Sequence, residues 1–184
     1  MSTQPTTRPG LERDLPIAPG RWSVVPAASD ARFTVRELGL VSVHGSFPVV
    51  DGTVEVDGSG RPVSVRATLD ARGIATGNAR RDRDLRGPKF LAADRWPTLS
   101  FTSREVHGAG PQEWTAVGTL QVRDVRSPLT LTVRLAGTRP DGARQVVATG
   151  AVDRREAGVR TAPTFVIGSA VRISLDVTLA PPGH

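Results

Sequence analysis

The sequence contains no cysteine, few aromatic residues (4%) and no long apolar run. The lack of cysteine excludes disulfide bonds, thiol nucleophiles and thiolate metal sites. A membrane-spanning helix needs about 20 consecutive apolar residues, and no stretch of that length occurs. Any chemistry of the protein must therefore use other side chains.

Histidine is also scarce, at three residues: His44, His107 and His184. No two of them have the spacing of metal ligands, and no H-E-x-x-H motif is present. The chain has no G-x-S-x-G nucleophile motif, and Gly73 to Arg80 lacks the G-K-[ST] ending of a phosphate-binding loop. We therefore predict no catalytic residue, no metal and no cofactor, and we interpret His44 as a partly exposed residue at a strand end.

The chain is basic, with 24 Lys and Arg against 18 Asp and Glu and a net charge of +6. Its one lysine is Lys89. The arginines are scattered and often neighbour acidic residues, which favours solvated faces over a dedicated binding surface. No basic stripe interleaved with aromatic residues indicates base stacking. Binding to nucleic acid or to another acidic partner is a weaker alternative.

Residues 1–20 are rich in proline and threonine and show no apolar periodicity, so we predict a flexible tail there. This stretch lacks the apolar core of a signal peptide, and we expect a cytoplasmic protein. The folded domain is predicted to span residues 21–181.

From Arg21 onward, apolar and polar residues alternate with a period of two. This alternation is typical of antiparallel strands with one dry and one wet face. Turn-forming sequences separate the strands, which indicates hairpins in series. A long meander without covering helices must close on itself, so we predict an all-β antiparallel barrel, with a two-sheet sandwich as the competing architecture. The clearest alternating runs are Ala31 to Val35, Val63 to Leu69, Leu129 to Leu135 and Val171 to Leu179.

A charged insertion, GNARRDRDLRGPKF at residues 77–90, interrupts this pattern. Thr76 or Asn78 is suited to begin a helix and Gly87 to end it. Arg80 with Asp84 and Asp82 with Arg86 have the i,i+4 spacing of helical ion pairs. A helix this short is marginal alone. We therefore predict that it packs across one end of the barrel through apolar neighbours, namely Leu85, Phe90, Leu91 and Trp96.

The stretch TGNARRDRDLRGPKFLAADRWPTLSF, residues 76–101, resembles the signature segment of the YceI-like family of lipocalin-like, polyisoprenoid-binding proteins. Residues 33–57 and 117–133 resemble two further segments of that family, in the same order. The likeness covers roughly residues 21–180. Three features depart from the family pattern: Glu37, Asp124, and Ala157 in the segment VDRREAGV.

The resemblance implies a lipocalin-like, up-and-down barrel of about eight strands, a common homodimeric state, and an isoprenoid-type lipid inside the barrel. The inward residues are mostly Val, Leu and Ala, which suits an empty apolar tube, although a barrel packed solid is the alternative. We expect non-catalytic binding, carriage or sequestration of such a lipid. An enzyme acting on an apolar substrate through His44, Glu37 or Asp70, such as an isomerase or cyclase, is the alternative.

The predicted ligand-binding residues fall into two groups. At the barrel mouth, Asn78 and the arginines Arg80, Arg81 or Arg83 are candidates to meet a polar headgroup, although local ion pairs are the favoured role of any single arginine. The cavity wall or its cover is expected to comprise Phe33, Val35, Leu38, Leu40, Phe47, Val65, Leu69, Leu85, Phe90, Trp96 and Phe101.

Overall fold

A computed structural model of the chain describes residues 17–37, 40–161 and 167–183. It contains ten strands, one α-helix and one turn of 3-10 helix at Pro26–Ala28. The strands and the helix are β1 (Gly20–Val24), β2 (Asp30–Glu37), β3 (Val41–Phe47), β4 (Val49–Val56), β5 (Pro62–Asp70), α1 (Ala79–Arg86), β6 (Thr98–Gly110), β7 (Glu113–Val122), β8 (Val125–Thr138), β9 (Arg144–Asp153) and β10 (Ile167–Ala180).

The strands form one closed antiparallel barrel. Strand β10 pairs with β9 on one side; on its other side it pairs with β2 and, at its end, with β1. β1 and β2 are two parts of one interrupted strand, and β3 and β4 are two parts of the next, broken at Pro48. Eight strands therefore surround the interior, as predicted, and the structure is not a sandwich.

The alternation in the sequence corresponds to alternating burial. In β8, Ser127, Leu129 and Leu131 are buried, while the residues between them are exposed. β7 and β8 pair without a register shift over their whole contact, so one face of this pair remains inside the barrel.

One expected inward residue, Val63, is exposed at 49%. The pairing of β4 with β5 shifts register between Glu55 and Val56, so that Val56 faces Pro62. A bulge places an extra residue in one strand and reverses the facing of its neighbours. Pro62 is consequently the buried residue, and the prediction for Val63 is wrong.

Helix α1 begins and ends close to the predicted positions. The Asn78 side chain accepts a hydrogen bond from the Arg81 N–H at 3.0 Å, and Gly87 is the C-terminal cap. The expected i,i+4 ion pairs are absent from the described residues. Asp82 is buried instead, and Arg86 donates to the Ile74 carbonyl at 3.0 Å.

The main apolar core lies inside the barrel and extends under residues 71–97, which we call the α1 segment. Its buried members include Ala71, Ile74, Leu91 and Ala93 from this segment. A smaller cluster around Trp22, Val56 and Leu179 occupies the opposite end of the barrel. Within the described ranges, no helix is long and apolar enough to cross a membrane.

Candidate ligand-binding cavity

The barrel holds a partly open cavity of about 230 Å³ at the end that the α1 segment covers. Most of its wall is aliphatic or aromatic. The wall residues are contributed by seven strands, the α1 segment and the loop after β9: Phe33, Val35, Val43, Phe47, Leu69, Ile74, Leu85, Phe90, Leu91, Leu99, Leu120, Val122, Val152, Ala157, Val159, Val171 and Ile173. A wall that is mostly apolar provides few hydrogen-bond partners for a polar occupant.

Two phenylalanine rings form one side of the wall. Phe33 and Phe47 are 5.3 Å apart between ring centroids. The Phe33 ring also lies over Gly45 of β3, which faces it across the strand pair. Any side chain at Gly45 would occupy the space of this ring. Because glycine has no side chain, the Phe33 ring can lie against β3 and leave the cavity space free.

Polar side chains border the cavity at a few positions: Arg32, Glu37, Arg81, Arg154 and Thr161. Arg154 is only 7% exposed. Its guanidinium donates to the carbonyls of Gly168, Val159 and Thr161 at 3.1, 2.9 and 3.1 Å. Burial lowers the pKa of Arg154 from its ordinary value, but an arginine remains charged at neutral pH. Arg154 therefore brings a fixed positive charge to the wall and holds the loop after β9.

Within the α1 segment, polar contacts hold helix α1 against Thr76, which precedes it. The Asp82 carboxylate accepts hydrogen bonds from the Thr76 N–H at 2.9 Å and from its hydroxyl at 2.6 Å. Arg81 donates from Nε to the Thr76 hydroxyl at 2.8 Å and from Nη2 to the Thr76 carbonyl at 3.1 Å. Arg81 is thus oriented along the cavity rim by its contacts with Thr76.

Two hydrogen bonds from outside the α1 segment hold its backbone at Lys89 and Phe90. Arg123, in the turn between β7 and β8, donates to the Phe90 carbonyl at 3.0 Å. The Thr161 hydroxyl donates to the Lys89 carbonyl. Phe90, which lines the cavity, is therefore fixed by backbone contacts on both sides.

A second, smaller void of about 100 Å³ lies deeper in the barrel. It is lined by residues such as Trp22, Val65 and Phe101. The Phe101 ring reaches across β6 to Gly118 of β7, where an added Cβ would approach its Cζ to 2.9 Å. Phe101 and Leu129 are both buried, and they form part of the packed layer between the two voids.

The predicted site residues divide into three groups. Phe33, Val35, Phe47, Leu69, Arg81, Leu85 and Phe90 line the larger cavity. Val65 and Phe101 line the deeper void. Four residues line neither space: Leu40, Asn78, Arg80 and Trp96. The remaining residue, Leu38, lies outside the described residues.

These four residues have other environments. Leu40 is 92% exposed in the turn after β2, so the expectation that it lines the wall is wrong. Asn78 caps α1, and Arg80 is exposed on that helix. Trp96 is half-buried beside Arg95, whose guanidinium carbon lies 5.5 Å from the ring centroid.

Several wall residues were not predicted. Leu120, Val171 and Ile173 lie on inward positions of β7 and β10, and strand parity was a usable signal for them. Arg154 gave no such signal, because a charged residue in a polar loop sequence is normally solvated.

The three side chains considered for catalysis are not brought together. Glu37 lines the cavity. His44 is exposed on the outer face of β3, with Nδ1 3.0 Å from the Thr34 hydroxyl. Asp70, at the end of β5, accepts from the Arg72 N–H at 2.9 Å.

Residues 22–179 match the YceI-like domain family. The chain belongs to the YceI-like family. Curated relatives include a UPF0312 protein of Yersinia enterocolitica and the protein YceI of Salmonella arizonae, each 32% identical over 110 residues, or 59% of this chain. The aligned region spans only 57% of the length of these relatives.

Solved structures share this YceI-like fold. BcnA of Burkholderia cenocepacia has a TM-score of 0.75 at 19% identity, covering 84% of this chain and 98% of that one. A polyisoprenoid binding domain from Saccharophagus degradans, implicated in plant cell wall breakdown, has a TM-score of 0.62 at 13% identity, covering 88% and 98%. At these identities the likeness shows the fold.

Proposed function

We propose that the protein binds an elongated apolar molecule of the isoprenoid class in its barrel and carries or sequesters it without transforming it. The observation that carries the proposal is the partly open cavity with its aliphatic and aromatic wall. Water gains few hydrogen bonds in such a space, so a hydrocarbon chain is the favoured occupant.

The size of the cavity suits part of such a chain. At about 230 Å³ it is larger than an apolar cavity of about 150 Å³ that binds benzene. Each buried methylene contributes about 0.8 kcal/mol, so several carbon atoms provide useful affinity. A longer chain would extend through the mouth, or reach the deeper void if the layer around Phe101 moves.

The polar end of the ligand would lie at the rim. Arg81 and Arg154 are the cationic groups of the wall beside the α1 segment. A hydroxyl, phenol or phosphate group placed there would keep its hydrogen bonds while the chain is buried. The isoprenoid class is supported by family membership and by the shared fold with the Saccharophagus degradans domain.

The first test is to identify what the protein holds after purification. The purified protein is extracted with organic solvent, and the extract is analysed by mass spectrometry beside an extract of an unrelated protein from the same host. Titration of delipidated protein with polyprenyl alcohols of increasing length follows. We expect a co-purifying lipid or saturable binding near one molecule per chain; the absence of both would contradict the proposal.

The homodimer implied by the family resemblance is a separate proposal. Light scattering coupled to gel filtration tests it, with twice the chain mass of 19.5 kDa expected. A peak at the mass of one chain at micromolar concentration would contradict it.

A further inference from the structure

The positive charge of the protein is concentrated at the end of the barrel where the cavity opens. This mouth end comprises the described residues of segments 36–42, 70–98, 122–126 and 153–168. It holds thirteen Arg and Lys against eight Asp and Glu, a net charge of +5. The other described residues hold nine against eight, a net charge of +1.

Several of these cations have no carboxylate partner among the described residues. They are exposed and take part in no ion pair there: Arg36, Arg80, Arg83, Lys89 and Arg126. Away from the mouth the charges nearly balance: Arg21 pairs with Glu55 and Arg139 with Asp141, while Arg61 and Arg134 are exposed and form no ion pair among the described residues. The mouth end therefore presents charge that is available to an external anionic partner.

The same end carries an exposed aliphatic tip. Leu40 is 92% and Val41 58% exposed, where β2 turns into β3. The other exposed large apolar residues of the described chain, Val50 and Val63, are isolated from this tip in the sequence and lie on β4 and β5. Two adjacent aliphatic side chains in water are unfavourable unless a partner buries them.

The tip and the cations border one opening. Glu37 at the end of β2 and Arg81 of α1 both line the larger cavity. Leu40 follows Glu37 in the turn of that hairpin, and Arg83 lies in the same helix as Arg81. Both features therefore lie beside residues that line the larger cavity.

We propose that the mouth end is a docking surface for an anionic lipid bilayer. Leu40 and Val41 insert among the acyl chains near the headgroups, while Arg36, Arg83 and Lys89 contact lipid phosphates. Basic residues near an anionic membrane surface attract it, and an inserted apolar group anchors the contact. Docked in this way, the cavity opens toward the membrane, and an apolar ligand transfers without crossing water. This loading role rests on the proposed function, whereas docking itself does not.

The aliphatic tip favours a bilayer over nucleic acid. Single-stranded nucleic acid binds to aromatic side chains that stack on bases, and the exposed tip offers leucine and valine. Binding to nucleic acid would depend on the cations and be insensitive to Leu40, which separates the two partners experimentally.

The test is sedimentation of the ligand-free protein with vesicles, either of phosphatidylcholine alone or with one third phosphatidylglycerol. We expect binding to the anionic vesicles only, weakening as salt rises. The double variant Arg83→Glu with Lys89→Glu should lower the partition coefficient by about tenfold or more. The matched control, Arg61→Glu with Arg134→Glu, reverses the charge of two exposed arginines away from the mouth. It should bind to the vesicles nearly as the wild type does.

A second pair of variants tests the apolar tip. Leu40→Glu should lower partitioning by about tenfold. Val63→Glu, which also places a charge at an exposed aliphatic residue but on β5, should leave it nearly unchanged. No binding to anionic vesicles, equal losses in test and control variants, or binding to DNA that Leu40→Glu does not affect would each overturn the docking surface.

Different experimental results would contradict the proposed function and the docking surface. Saturable uptake of polyprenol from solution without vesicle binding would overturn the docking surface and leave the proposed function standing. Vesicle binding without uptake of any apolar ligand would overturn the proposed function and leave the docking surface standing.

Discussion

Phe33 of β2 lies directly over Gly45 of β3, so that a Cβ added at Gly45 would come within 2.3 Å of the ring Cζ. The pair shows how the cavity is kept open, because the missing side chain at Gly45 gives the ring a place against the wall. The tilted contact between Phe33 and Phe47, at 5.3 Å between ring centroids, completes that side of the cavity.

Replacing Gly45 therefore should damage both the fold and the cavity. We expect Gly45→Val to displace the Phe33 ring inward and to lower the free energy of unfolding by about 1–3 kcal/mol, the usual cost of overpacking. Urea denaturation measures this. Gly108→Ala is the control, because a Cβ there meets no atom within 4 Å; similar losses in both variants would show that the contact with Phe33 is not the cause.

The position of helix α1 against Thr76 is expected to depend on Asp82. Asp82→Ala removes the acceptor of two hydrogen bonds from Thr76 and leaves a half-buried N–H unpaired. The expected loss is about 2 kcal/mol in the free energy of unfolding, with faster hydrogen exchange in residues 76–90.

Asp84→Ala is the matched control on the same helix. Asp84 is exposed and forms no ion pair in the described structure, so its replacement should change the free energy of unfolding by less than about 0.5 kcal/mol. An equal effect of the two substitutions would contradict the assigned role of Asp82.

Arg154 is expected to hold the loop after β9. Arg154→Ala removes the donor to three carbonyl groups and should destabilise the protein by about 3 kcal/mol. Thermal unfolding measures this beside Arg155→Ala, whose partly exposed pairing with Asp153 should contribute less than about 1 kcal/mol. A neutral Arg154→Ala would show that the loop is held by other contacts.

The turn between β4 and β5 provides a pH-dependent signal. The Ser59 hydroxyl, and then the N–H groups of Arg61 and Ser59, hold the pKa of Asp57 below its usual value. Because the pKa is lowered in the folded state, the contribution to stability is present above the ordinary pKa of aspartate and is lost as the pH falls through the folded value. Carbon-detected NMR titration should find a low Asp57 pKa that rises in Ser59→Ala; an identical value in both would contradict the assignment.

The barrel and part of the wall of the larger cavity could be predicted from the sequence, because alternation fixes which side chains face inward once the sheet closes. Phe33, Val35 and Leu69 follow this rule. Leu40 does not, because period-two alternation does not indicate where a strand ends and a turn begins. Val63 does not follow it either. A bulge changes which side chains face inward, and no pattern of apolar and polar residues in the sequence marks the bulge.

The polar parts of the site were harder to predict because their partners are distant in sequence or are backbone groups. Asp82 looked like half of an exposed helical ion pair, yet it is buried against Thr76, six residues earlier. Arg154 looked like a solvated charge, yet its partners are carbonyls of a loop that folds back over it. Neither arrangement follows from residue type and spacing.

The central claim is that the barrel interior is a binding site for an apolar chain, and filling that interior tests it most directly. Val171 lines the cavity, and Arg172, the next residue of β10, is exposed. The measurement is titration of delipidated wild type, Val171→Trp and Arg172→Trp with one fluorescent polyprenyl lipid, after circular dichroism has shown that all three are folded. We predict saturable binding to wild type and Arg172→Trp and at least about tenfold weaker binding to Val171→Trp, in which the indole replaces several ligand methylenes. Equal binding to all three proteins, or binding to none, would contradict the account.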